Sequence, residues 1–405
     1  MKIHNDTKII ICSPRNYYSG GPESIHQLGS CLKRMNFKVE MLYIGENGGE
    51  PVHDRLKKYH LPIAMSDEDP NSVLIVPETT TLRRDRKSPV IYWWLSIDNH
   101  FHTICDRLND YIKQRNFIKA SSPVVDVLNE KDIEHFVQSE YARQFLEFNQ
   151  ISSDRIHFVG DYLVPTFLEK AKSISLDSKE DQIVYNPKKG FDLTKKLIDA
   201  APDLKFIPIQ NMNSDQVQDL LAKSKIYIDF GNHPGKDRIP REAAASHCVV
   251  VTGKRGSAGN EIDIPIPPDF KFDDSIGNDE KIIPQIIERL RSILKNFNEE
   301  HDRQNSYRDL IHAEPKKLFM DVARAFNFDP NKKLPTKIAI VGNKNEIVDI
   351  INAIWRDPNL DIVFIVNDEL AGQLVQFSNR EIEVITESDA LFLFDEKRID
   401  QFLSP

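Results

Sequence analysis

Residues 231–247, GNHPGKDRIPREAAASH, place Lys236, Arg238 and Arg241 in a Gly/Pro-rich stretch between two apolar runs, KIYIDF and CVVVTG. Cations where a strand ends and a helix begins suit an anion, phosphate above all. A guanidinium grips two oxygens at once, and first-turn N–H groups have no partner inside their helix. Across 236–255, Lys236, Arg238, Arg241, Lys254 and Arg255 face only Asp237 and Glu242, an excess of three positive charges in a chain of net charge −9. The competing reading is internal, with Arg241 paired to an acid of the protein itself.

Three more loops have usable chemistry. YNPKKGFD sets Lys188 and Lys189 just before a helix start, where a phosphate would be favoured. YYSGGPES has Gly20 and Gly21, and TGKRGSAGNE has Gly253, Gly256, Ser257 and Gly259, so backbone could approach a ligand closely. Their spacing is neither the dinucleotide G-x-G-x-x-G nor a P-loop. The 252–261 loop is expected to approach a phosphate or sugar.

IYWWLSIDNHFH supplies Asp98, His100 and His102 at a strand end. Asp98, His100 and Glu23 are the candidates for a base that takes a proton from a hydroxyl. His100 and His102 lack a third ligand nearby, so no metal site is expected. SDEDPN (66–71) precedes a strand and reads as an acidic turn, and DDSIGNDE (273–280) lacks calcium-loop spacing.

The elements that must position these residues alternate. Strands are expected at 8–12, 38–43, 73–78, 90–96, 135–140 and 156–162. After the polar stretch SISLDSKEDQ come IVYN, KFIPIQ, KIYIDF and CVVVTG, separated by helices. Helical spacing of Ile25, Leu28, Leu32 and Met35 marks the first helix, and two charged helices cover about 280–297 and 303–327. A third segment runs KIAIVG, helix, DIVFIV, helix, EIEVIT. Strands alternating with helices predict an α/β protein with mostly parallel sheets. The boundaries read 1–165, 180–330 and 336–405, the last either packing on the rest or belonging to a longer protein.

With 405 residues, 40% hydrophobic and 28% charged, the composition is that of a globular protein. Its acidic balance argues against a nucleic-acid coat or a polybasic anchor. Cys12, Cys31, Cys105 and Cys248 are scattered, with no C-x-x-C, which suits a reducing cytoplasm. No stretch approaches membrane-spanning length. A cytoplasmic protein is expected, with peripheral attachment at the inner face of a membrane left open.

Over residues 8–327 the chain resembles the GT-B glycosyltransferases, in the order of its pieces. SGGPESIHQLGSCLKRMNFKVEML is similar to the N-terminal glycine loop, helix and strand. HFVQSEYARQFLEF resembles the segment ending that domain, and KKGFD the lysine loop of the donor domain. IPREAAASHCVVVTG is similar to the Glu-Ala-Met-Ala segment of retaining members, and SYRDLIHAEPKKLFMDVARAF to the closing helix. The form GKDRIPREAAAS resembles an offshoot associated with capsule and surface-polysaccharide synthesis.

The resemblance implies two facing Rossmann-like domains with a nucleotide-sugar in the cleft, to which the strand–helix pattern adds a small C-terminal α/β segment. It implies that Glu242 bonds the donor ribose and that Lys188 or Lys189 meets the diphosphate. Gly20, Gly21, Gly256, Ser257 and Gly259 would approach phosphates, sugar or acceptor. No cofactor is implied beyond a UDP- or GDP-sugar donor, and the other partner is a saccharide acceptor. The family pattern has a glutamate eight positions before Glu242, where this chain has Pro234. The alternatives are a sugar-nucleotide epimerase of the same fold and a degenerate binding or scaffold module.

Overall fold

The structure is a computed structural model. It describes residues 7–45, 49–67, 69, 71–82, 85–104, 124–275, 277–354, 357, 359–377 and 380–404. Cys105 and parts of the two acidic stretches, 68, 70 and 276, lie outside them. Packing divides the chain into two compact units, Ile75–Asp321 and Lys2–Leu74 with Val322–Pro405.

The first sheet has strands β1 (Lys8–Pro14), β2 (Lys38–Ile44), β3 (Ser72–Pro77), β4 (Val90–Trp94), β5 (Ile133–Val137) and β6 (Ile156–Phe158), in the order β2-β1-β3-β4-β5-β6. Residues of β3 and β4 are buried on both faces, as expected of strands covered by helices on each side. Trp93 and Trp94 point to opposite faces, and both are core. The Trp93 indole donates to the Val159 carbonyl at 3.1 Å, and that of Trp94 to His135 Nδ1 at 3.1 Å.

The second sheet is formed by β7 (Glu180–Tyr185), β8 (Phe206–Pro208), β9 (Ser224–Asp229) and β10 (Val249–Thr252), in the order β10-β9-β7-β8. All its pairings are parallel. Its intervening helices are Phe191–Ala200, Ser214–Lys223 and Arg238–Ala245. The second opens on a reciprocal capping box between Asn213 and Gln216. The run Ala243, Ala244, Ala245 is fully buried, because small side chains let that helix lie close on the sheet. Helices Asp279–Lys295 and Asn305–Ala325 follow, with the short helix Phe297–Asp302 between them.

The third sheet has β11 (Thr336–Val341), β12 (Leu360–Val366), β13 (Leu374–Phe377), β14 (Arg380–Ile385) and β15 (Gln401–Leu403), in the order β13-β14-β12-β11-β15. Alternate residues feed two cores: Ile338 and Ile340 pack with Ile347 and Ile351, and Ala339 packs with Phe364 and Leu393. The helix expected between β12 and β14 is instead β13, antiparallel to β14. Hydrogen bonds to β14 decide that stretch, and short-range periodicity does not contain them. Among the described residues no helix is long and apolar enough to cross a membrane.

Candidate functional site

Because β7, β9 and β10 are parallel, the loops after Tyr185, Asp229 and Thr252 leave from one edge of the sheet, the carboxyl edge where open α/β sheets bind ligands. In the first loop, Asn186 Oδ1 accepts from the Lys188 N–H at 3.0 Å. Gly190 then caps the Phe191–Ala200 helix with φ +59°, a left-handed turn. A Cβ there would lie 2.4 Å from the Phe230 carbonyl, so the two loops touch backbone to backbone. Lys188 is exposed. Lys189 crosses to the second loop, where its ammonium sits 2.5 Å from Asp237 Oδ2.

The second loop also holds a compact charged cluster. His233 is fully buried, with Nδ1 3.1 Å from Asp237 Oδ2 and Nε2 3.6 Å from Asp229 Oδ1. The Tyr227 hydroxyl and the Gly231 N–H both donate to Asp229, at 2.9 and 3.0 Å. Burial opposes charge on both His233 and Asp237, and it is outweighed at each: Lys189 and His233 hold Asp237 down to about 2, while Asp229 and Asp237 raise His233 above its ordinary value against the repulsion of Lys189. Asp229, His233 and Asp237 are a ligand-type set with donor atoms within 4.8 Å, different from the His100/His102 pair considered above. The Lys189 ammonium supplies positive charge there.

Asp237 is the N-cap residue of the Arg238–Ala245 helix. One turn in, Arg238 Nε lies 3.5 Å from Glu242 Oε1, and both side chains are partly exposed. Burial raises the Glu242 carboxyl above its usual range, against the pull of Arg238 and Arg241.

Two of the expected phosphate contacts are otherwise engaged. Arg241 is 2% exposed; its guanidinium donates to Glu314 at 2.9 Å and Asp161 at 2.7 Å. Lys236 bonds the Asp161 carbonyl at 2.8 Å and Glu314 Oε1 at 2.9 Å. Arg241 thus makes the internal pairing set out above, and Lys236 shares its two acids. Buried carboxylates from the loop after β6 and from the Asn305–Ala325 helix take both charges. Arg255 is likewise committed to Asp274 at 2.6 Å.

The 252–261 loop packs against the second loop. Gly256, Ser257 and Ala258 form a buried 3-10 turn whose backbone braces the second loop. Ser257 donates its N–H to the His233 carbonyl at 2.8 Å and its hydroxyl to the Gly235 carbonyl at 2.5 Å. A Cβ on Gly256, where φ is +61°, would lie 2.0 Å from the His233 carbonyl, and one on Gly259 2.7 Å from that of Lys254. These glycines allow backbone to meet backbone.

No protein-family model matches the chain, and a comparison with curated proteins finds no relative. Solved structures do match. Anabaena HepE in complex with UDP superposes with a TM-score of 0.54 over 79% of this chain and 100% of that one, at 10% identity. Its complex with UDP and glucose gives 0.53, over 79% and 99%, at 9% identity. An E. coli structure titled for trehalose-6-phosphate, bound with UDP-2-fluoro glucose, gives 0.50 over 79% and 98%, at 11% identity. The chain has the GT-B fold.

Within that GT-B fold the candidate bases separate. Asp98 opens the helix Ile97–Ile104 and accepts a hydrogen bond from the Asn232 amide of the cation-bearing loop. The Pro234 carbonyl of the same loop accepts a hydrogen bond from the Ile97 N–H at 3.0 Å, and Gly235 pairs with Ser96. Pro234, in the place of the family glutamate, thus takes part through its backbone. His100 is fully buried among Trp94, Phe101 and Phe145, with Nδ1 2.9 Å from the Glu78 carbonyl. Burial pulls it down to about 4, and a base sealed in the core cannot meet an acceptor hydroxyl. His102 is exposed, away from that core.

In the other unit of this GT-B chain, Gly20 and Gly21 form the first turn of the helix Gly20–Arg34. Glu23 is buried there, accepting the Tyr59 hydroxyl at 2.5 Å with Lys58 at 3.4 Å. That makes it a structural acceptor in place of a base. Asp161, Glu314 and His233 escaped the sequence reading. Asp161 and Glu314 stand 80 and 73 residues from Arg241, with no local signal. His233 lay inside the opening stretch, and its spacing from Asp229 and Asp237, four residues each way, was the available clue.

Proposed function

We propose that the protein is a nucleotide-sugar-dependent glycosyltransferase moving a sugar to a saccharide or other hydroxyl acceptor in surface-polysaccharide synthesis. The observation that carries this is the run Lys188, Lys189, Asp237, Arg238 and Glu242 along the carboxyl edge of a parallel sheet. In this reading Lys188, Lys189 and Arg238 meet the donor diphosphate, and Glu242 accepts from the ribose hydroxyls. As the glycosidic bond to phosphate breaks, these fixed cations and two helix N-termini stabilise the charge that develops on the leaving group. Asp98 is the remaining candidate to deprotonate an acceptor in an inverting reaction. The polysaccharide role rests on the resemblance of GKDRIPREAAAS, and the choice of UDP is supported by the ligands of the similar folds.

Thermal unfolding with UDP, GDP, ADP, TDP and CMP, with and without magnesium, tests the site. A nucleotide at about 100 times its dissociation constant adds about 2.7 kcal/mol, a shift of a few degrees. Glu242→Ala should abolish a selective shift while leaving the ligand-free transition in place. No shift with any nucleotide would favour a degenerate binding module, a reading consistent with Pro234 in place of the family glutamate. Transfer of sugar to any acceptor would exclude that module.

A further inference from the structure

Lys189 presents a problem of charge. Its ammonium lies on Asp237 Oδ2, so moving toward a phosphate would strand a carboxylate that is mostly enclosed. Leaving one partner of such a pair uncompensated is strongly unfavourable. Yet Asp237 has a second partner. His233 lies beside it, with Nδ1 3.1 Å from Asp237 Oδ2 and Nε2 3.6 Å from Asp229 Oδ1, within ion-pair reach of both carboxylates although neither nitrogen makes a hydrogen bond among the described residues. With a carboxylate that close to each ring nitrogen, charge attraction favours the imidazole with both nitrogens protonated. Asp229 is fixed in turn by Tyr227 and by the Gly231 N–H.

We propose that His233 is a positioning residue: as the resident counter-charge of Asp229 and Asp237, it lets Lys189 leave Asp237 for a nucleoside diphosphate without stranding a carboxylate. The inference rests on the reading of Lys189 as a diphosphate contact. It accounts for a fully buried histidine beside a lysine of the same sign, an arrangement that burial alone disfavours. Both cations are raised by the two carboxylates, against the opposing effect of burial. Gly231 lets the two loops pack closely at this point, since a Cβ there would lie 2.5 Å from the Lys189 Cβ and 2.9 Å from Asp229 Oδ1.

The test is calorimetric titration of the full chain with UDP, and with GDP in parallel. His233→Asn should weaken binding about tenfold or more, because Lys189 becomes the sole counter-ion of Asp237. Adding Asp237→Asn in the same chain should restore affinity to within about threefold of the parent, since the carboxylate that needed compensation is gone. A merely structural histidine would not be rescued in this way. Asparagine is itself a good N-cap, and Asp237 makes no side-chain capping bond here, so the helix should tolerate the change.

Should His233→Asn fail to fold, Asp237→Asn alone decides. It should bind at least as tightly as the parent, and weakening beyond about tenfold would overturn the inference. If Lys188→Ala/Lys189→Ala leaves binding unchanged, the underlying site reading fails, and the inference with it. If that pair loses binding while His233→Asn retains it, this inference alone is wrong. Loss of UDP binding by the parent in EDTA, restored by Zn2+, would overturn it in favour of a metal held by Asp229, His233 and Asp237.

Discussion

The Arg241 guanidinium lies 2.9 Å from a Glu314 carboxylate oxygen, with both side chains almost wholly buried. Asp161 closes the arrangement from the other side at 2.7 Å, and Lys236 joins both acids. Two cations and two carboxylates therefore tie the helix Arg238–Ala245 to the loop after β6 and to the helix Asn305–Ala325. The cations that most suggested phosphate binding in the sequence include two that hold the site's framework.

Arg241→Ala should cost about 3–5 kcal/mol of unfolding free energy, because two buried carboxylates lose their partner. Urea denaturation of the purified variant measures this. A loss below about 1 kcal/mol would mean that the network relaxes around the gap.

Acid should weaken the protein through the same region. Asp161 is held below its ordinary value, burial being outweighed by Arg241 and Lys236, and Asp237 falls from 3.8 to about 2. A depressed carboxylate contributes stability that is present above its unfolded value and lost as pH falls through the folded one. Asp237 accounts for about 2 kcal/mol, lost between roughly pH 4 and pH 2. Asp237→Asn should show a shallower decline over that window in denaturant titrations.

The opposite sign applies at His60, in the unit of Lys2–Leu74 and Val322–Pro405. Its ring lies 2.8 Å from Glu383 and 3.1 Å from Asp389. Burial opposes its charge, but the two carboxylates raise it to about 9. That stabilisation is complete below the unfolded value of 6.5 and is lost as pH rises through 9. Cleavage by a protease within 336–405 should accelerate between pH 7 and pH 9.5. His60→Asn should be cleaved quickly throughout, with little pH response.

Gly256→Ala should be destabilising by about 1–3 kcal/mol and should disturb nucleotide binding together with stability. The new methyl would meet the His233 carbonyl at 2.0 Å, and φ at that position is +61°. Gly277→Ala is the control, because φ is also positive at +88° but nothing lies within 4 Å. Comparable melting temperatures for the two variants would show that the close approach is unimportant.

Much of the fold was legible along the chain because its signals are local. Apolar runs such as KIYIDF and CVVVTG, punctuated by Gly and Pro, located the strands. The three- and four-residue spacing of Ile25, Leu28, Leu32 and Met35 located the first helix. Parallel alternation then placed Lys188, Lys189, Arg238 and Glu242 at strand ends. The stretch Leu374–Phe377 failed the same treatment, because its state depends on pairing with Arg380–Ile385.

The sequence by itself determined an α/β chain whose strand-end loops concentrate cations, since side-chain type and spacing suffice for that. Tertiary structure alone decided which of those cations remain for a ligand. Arg241 is withdrawn by Asp161 and Glu314, His100 by a shell of aromatic rings, and the glycines at 256 and 259 by neighbouring carbonyls. The physical reason is that burial and charge pairing belong to groups brought together from distant positions. An ion's availability is set by every neighbour within a few ångströms, and sequence order does not say who those neighbours are.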